Sequence, residues 1–252
     1  QIRKLCYQKR NMSLSVEKLR KSYDGKIALD DVSFKLKNGE TVGILGPNGA
    51  GKTTLFYIIA GLIKSDSGKV HISGKEINHK SISERTSLGL SYLPQESSIF
   101  KGLTVEQNIY SALEQRKDLS KNEKYKKLEE LLEEFSLLKF SKTLGIKLSG
   151  GERRRTEIAR SLASDPEFIL LDEPFAGIDP LAVSDLKKTI DNLNKKNIGI
   201  LISDHNVRDT MNICTNVIVV DQGKIIANGK PKEIANDSLV KEVYLGQNFS
   251  VE

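Results

Sequence analysis

The run Gly46-Pro47-Asn48-Gly49-Ala50-Gly51-Lys52-Thr53-Thr54 fits the pattern G-x-x-x-x-G-K-[ST] without a mismatch. Glycines let a backbone curl until several N–H groups converge on an anion. A helix that follows directly adds the positive end of its dipole. Lys52 has the reach for β- and γ-phosphates, and the Thr53 hydroxyl suits Mg²⁺. By itself such a loop indicates a nucleoside triphosphate. It does not separate an ATPase from a kinase or a GTPase.

Two further groups narrow the chemistry. The apolar run Phe168-Ile169-Leu170-Leu171 ends in Asp172-Glu173. A buried strand that delivers a carboxylate toward a phosphate loop is how such proteins hold magnesium, which assigns Asp172 to the metal. Consecutive side chains diverge at a strand end, so Glu173 is free to polarise an attacking water as general base. Upstream, Leu148-Ser149-Gly150-Gly151-Glu152 contains an S-x-x-E capping box at the start of a helix. A cap needs no pair of glycines. Gly150 and Gly151 expose bare N–H groups at that helix end, which makes a second anion site. One triphosphate uses two helix ends only if they face each other across it.

The elements that must position these groups follow from pattern and punctuation. Strands are expected at 16–23, 29–36, 41–45, 88–93, 168–171, 199–203 and 217–221, with a strand–turn–strand over 68–77 that bends at Ser73-Gly74. Helices are expected at 54–62 and 181–194. From about Thr104 to Ser164 the pattern is mainly helical. There Ser120 and Glu123 form a capping box, and Tyr125, Leu128, Leu131, Leu132 and Phe135 fall on one face. The reading is an α/β core carrying a helical insertion.

With 252 residues, 38% hydrophobic and 29% charged, the chain can fill a large core. No stretch is apolar for the eighteen or so residues that a membrane span needs. The net charge of +6 comes from lysines interleaved with glutamates, so no nucleic-acid partner is expected. Cys6 and Cys214 form no ligand pair, and a reduced cytosolic setting fits. Residues 1–12 are expected to be an extension outside the fold, with Met12 as the natural start, and 13–252 the functional domain.

The phosphate loop, the Leu-Ser-Gly-Gly-Glu motif and the Asp172-Glu173 strand together resemble the ATP-binding cassettes of ABC transporters, over about residues 13–249. The resemblance implies a RecA-like P-loop core with an N-terminal antiparallel β subdomain and a helical subdomain at about 97–164. It implies ATP and Mg²⁺, and a homodimer in which ATP lies between the loop of one copy and the Ser149-Gly150-Gly151 end of the other. It assigns Tyr23 to adenine, Gln95 to Mg²⁺ and the attacking water, Asp179 to the dimer interface and His205 to the γ-phosphate. Three stretches look like the ATPases of lipopolysaccharide export in Gram-negative bacteria: Tyr92 to Phe100, Leu148 to Arg155 with Phe168 to Pro180, and Val243 to Phe249. That likeness implies a place on the cytoplasmic face of the inner membrane. It also implies a groove near Gln95 to Phe100 for an integral membrane partner, with Phe100 as the apolar contact. Branched-chain amino-acid import ATPases share the Tyr-Leu-Gly tail, but the Leu93 to Phe100 stretch argues against them. A ribosomal or nucleic-acid role fits less well, because there is one uninterrupted motif set and no long heptad array.

Overall fold

The computed structural model describes residues 12–250. Two sheets form. The first is antiparallel, in the order β2-β1-β4-β5, from β1 (Ser13–Tyr23), β2 (Lys26–Lys37), β4 (Ser67–Ile72) and β5 (Lys75–Glu76). The second has the order β10-β9-β3-β8-β7-β6. Its members are β3 (Thr41–Leu45), β6 (Leu90–Leu93), β7 (Phe168–Asp172), β8 (Gly199–Ser203), β9 (Asn216–Asp221) and β10 (Lys224–Gly229). All its pairings are parallel except β10 on β9. β3, β7 and β8 are buried along their whole length, as continuous apolar runs in a parallel sheet require.

Helix α1 (Lys52–Ala60) starts two residues earlier than its pattern suggests and stops earlier too. Gly51 turns the loop at φ 106°, and Gly61 ends the helix in the left-handed region at φ 88°. A short helix, α2 (Ile82–Ser87), was not anticipated; Ser81 and Glu84 cap it reciprocally. The turn that ends it, Leu88-Gly89, takes the start of the expected 88–93 strand, which begins at Leu90. Between β6 and β7 lie α3 (Val105–Glu114), α4 (Lys121–Glu134) and α5 (Gly150–Leu162). The Ser120–Glu123 box forms as expected. Leu128, Leu131, Leu132 and Phe135 are buried, but Tyr125 is 49% exposed and stacks on Tyr110 with ring centroids 5.0 Å apart. The remaining long helix is α6 (Pro180–Lys195), followed by α7 (Val207–Ile213).

Two apolar clusters hold this together. One lies between the two sheets and around α1; the other joins α3, α4 and α5 to the far side of the parallel sheet. Each fully buried Leu, Ile or Phe contributes about 1.5–3 kcal/mol. Met12 belongs to the fold: it packs on the first cluster, and its carbonyl accepts the Asn38 N–H at 3.2 Å. Residues 1–11 of the expected extension lie outside the described residues.

Candidate active site

β3 runs into the loop at Gly46, whose φ is +145°; a Cβ there would stand 1.9 Å from the Val220 carbonyl oxygen. No side chain fits. No side chain caps the start of α1, so its first N–H groups face the cleft. Lys52 Nζ donates to the carbonyls of Gly46 (2.6 Å) and Pro47 (2.9 Å). Burial lowers its pKa, and the negative charges of Glu173 and Asp172 oppose that shift. Around the loop is a cleft of about 340 Å³, bordered by Tyr23, Lys26, Asn48, Gly49, Gly51 to Thr54, Glu173 and His205.

At the end of β7 the two carboxylates part. Asp172 is buried and accepts the Tyr92 hydroxyl at 3.2 Å. Burial raises its pKa, and Tyr92's is raised by burial and by the Asp172 charge. Glu173 takes a left-handed backbone (φ 45°) and donates its N–H to the Ser203 carbonyl at 2.7 Å. That turn sends its side chain away from Asp172. Gln95 Nε2 donates to Glu173 Oε2 at 2.6 Å, and His205 Nε2 lies 2.8 Å from Oε1. Buried Asp204 accepts the N–H groups of Phe175 (2.7 Å) and Asn206 (2.8 Å), which fixes the backbone beyond both Glu173 and His205. Tyr92 and Asp204 were missed from sequence. The available signal was a polar residue at the end of each buried strand, Ser203-Asp204 mirroring Asp172-Glu173.

Among the described residues no group of three or more His, Cys, Asp or Glu could hold a metal ion. The candidate donors are the Thr53 hydroxyl, the Asp172 carboxylate and the Gln95 carbonyl oxygen. Such a sparse set of hard oxygens fits Mg²⁺, which keeps water and phosphate oxygens in its shell.

Ser149, Gly150, Gly151 and Asp179 do not border the cleft. Ser149 caps α5 reciprocally with Glu152 (2.9 and 3.4 Å) and Asp179 caps α6 through the Ala182 N–H at 3.0 Å. Gly150 instead borders a recess of about 120 Å³ with Gln95, Glu173 and Gly177. So Lys52, Thr53, Glu173, His205 and Tyr23 come together within one chain, and the twin-glycine helix end stays outside their cleft.

One face of α5 grips the segment after β6. Arg154 Nη1 donates to the Pro94 carbonyl (3.3 Å); Glu157 Oε1 accepts from the Ser97 hydroxyl (2.7 Å) and the Ser98 N–H (2.8 Å). Arg160 Nη2 donates to the Ser98 hydroxyl at 2.5 Å, and its guanidinium lies 5.0 Å from the Phe100 ring. Phe100 is 52% exposed, on the surface rather than in the core.

The family model of the ABC transporter matches residues 29–176, more than half of the chain, and the protein belongs to that family of ATP-binding ATPases. The sequence is 51% identical to the lipopolysaccharide export system ATP-binding protein LptB of Haemophilus influenzae, over 94% of this chain and 99% of that one. It is 47% identical to the protein of the same name from Escherichia coli K12, over 94% and 98%. The fold is that of solved cassettes: the ADP conformation of MJ1267 superposes with a TM-score of 0.83 at 30% identity, over 94% of this chain and 99% of that one. The dimeric cassette MJ0796 gives 0.76 at 27% identity, over 86% and 98%. No described helix is long and apolar enough to cross a membrane.

Proposed function

We propose that this chain hydrolyses ATP to drive lipopolysaccharide export, as a homodimer beneath integral membrane subunits on the cytoplasmic face of the inner membrane. Supporting the cargo is the identity to LptB proteins across nearly the full length of both chains. Supporting the dimer is the geometry that carries the mechanism: Glu173 sits between Gln95 and His205 beside the Lys52 loop, while Ser149 to Gly151 lies outside that cleft. The second helix end then comes from another copy.

In this reading the loop N–H groups and Lys52 bind the phosphates, with Gly46 to Thr54 as the cradle and Tyr23 against the base. Thr53, Asp172 and Gln95 would hold Mg²⁺, which when bound would supply charge neutralisation to the triphosphate. Glu173 accepts the proton of the attacking water, Gln95 orients that water, and His205 contacts the γ-phosphate. Ser149, Gly150 and Gly151 of the second copy close the γ side, with Asp179 crossing between copies. The helical segment 97–164 is the arm that carries α5 and presents Phe100 to the membrane partner.

The test is Glu173→Gln, which removes the base and leaves the phosphate site intact. Turnover is expected to fall by about 10² to 10⁴, while light scattering with saturating ATP shows a dimer. A monomer under those conditions sinks the two-copy site. Isolation of a tagged chain without integral membrane proteins sinks the transport reading.

A further inference from the structure

Tyr23 ends β1 at the lip of the cleft and is 46% exposed. An exposed aromatic side chain at a hairpin end must be ordered before it can stack on anything, and ordering costs free energy. Here the order is built in from behind. Asp66, in the link between α1 and β4, accepts the Ser22 N–H (2.7 Å) and the Ser22 hydroxyl (2.9 Å) through Oδ2. Its Oδ1 takes Lys21 Nζ at 2.8 Å, and its own N–H donates to the Arg20 carbonyl at 2.9 Å. One aspartate thus binds the three residues that precede Tyr23. The ammonium so held lies 5.2 Å from the centroid of the Tyr23 ring. Neither Lys21 nor Asp66 borders the cleft, whereas Tyr23 does. The hydrogen bonds from Lys21 and Ser22 hold the Asp66 carboxyl down to about 2, so it stays ionised at neutral pH.

We propose that Asp66 is a positioning residue for nucleobase recognition: it fixes Lys21 and the Ser22 peptide so that Tyr23 offers a preset, cation-backed ring to a purine. This rests on the assignment of Tyr23 to the base. Asp66 touches no phosphate element, so its effect belongs to the base alone.

The experiment is calorimetric titration with Mg·ATP and with Mg·inorganic triphosphate, which has no base. The proteins are the full chain, Asp66→Ala, Asp66→Asn, Tyr23→Ala and the Asp66→Ala, Tyr23→Ala double variant. Exposed cation–π contacts and ion pairs are individually small, so Asp66→Ala is expected to weaken ATP by roughly three- to tenfold. Asp66→Asn, which retains an acceptor for Ser22 but no charge for Lys21, is expected to lose less. Affinity for inorganic triphosphate is expected to stay unchanged, as is kcat at saturating ATP. In the Tyr23→Ala background Asp66→Ala should add nothing. Wild-type ATP affinity in Asp66→Ala, an equal loss for inorganic triphosphate, or full additivity with Tyr23→Ala each overturns the proposal. Unchanged ATP affinity in Tyr23→Ala overturns instead the stacking assignment beneath it.

Discussion

Lys52 has two sets of acceptors. In the structure its ammonium braces the loop through the carbonyls of Gly46 and Pro47; the proposed mechanism moves it to phosphate oxygens. Removing it costs both. A preorganised group that stabilises transition-state charge is worth about 3 kcal/mol, or a hundredfold or more in rate. Lys52→Ala is therefore expected to lose at least about a hundredfold in kcat/KM, with nucleotide binding weakened in titration and the fold retained by circular dichroism. Near-normal turnover would remove Lys52 from the mechanism. Glu173 illustrates a different point. Its left-handed backbone is an uncommon conformation for a glutamate, and that conformation separates its side chain from Asp172 next door. Two adjacent carboxylates thereby reach different partners, Tyr92 for one and Gln95 with His205 for the other.

Helix α2 shows how a short element reaches the site without touching it. Buried Arg85 donates to the carbonyls of Ile58 and Ile59, 2.6 Å each, and so satisfies the C-terminal end of α1, the helix that the phosphate loop opens. Arg85 is placed by the Ser81–Glu84 capping box. Hydrogen bonds from Lys80 and Ser81 depress the Glu84 carboxyl from 4.5 to about 2. A depressed carboxyl stabilises the fold at pH values above its unfolded pKa, and the contribution fades as pH falls toward the folded one. Wild type should therefore melt above Glu84→Gln at pH 7, and the gap should narrow through the window from 4.5 to about 2. A gap that persists unchanged to the acid end would refute the linkage. Helix α5 works through the segment around Gln95. Residues 154, 157 and 160 repeat at helical spacing and contact the segment from Pro94 to Phe100 at successive points: the Pro94 carbonyl, the Ser98 N–H, and the Ser98 hydroxyl with the Phe100 ring. The helix that begins with Ser149 and the segment that follows Gln95 are thus one packed unit.

For the whole molecule, the proposed site is complete only when two copies meet. Lys52→Ala damages the loop half and Ser149→Arg the helix half, so each variant alone is expected to be inactive. Mixed, they form heterodimers in which one site takes both lesions and the other takes neither. ATP turnover in the mixture should rise to about a quarter of wild type if the two sites act independently, because half of the dimers then carry one intact site. A mixture no more active than its components would contradict a site shared between copies. Ser149 serves also as the N-cap of α5, so circular dichroism on Ser149→Arg alone must show a folded chain.

The sequence by itself determined whatever is local. The phosphate loop, the Ser149–Glu152 and Ser120–Glu123 boxes, and the buried runs of β3, β7 and β8 involve neighbours a few residues apart, whose types dictate turn, cap or strand directly. Peripheral elements such as β10 and α2 escaped because they are partly or largely exposed, and their patterns carry little periodicity. Tertiary structure alone decided the pairings across the sheets: Tyr92 with Asp172, Gln95 with Glu173, Asp204 beneath Phe175, and Asp66 behind Tyr23. These partners lie 80, 78, 29 and (through Ser22) 44 residues apart in the chain. A hydrogen bond leaves no trace in residue spacing when strand order and register set the distance, and those are fixed only once both sheets have packed.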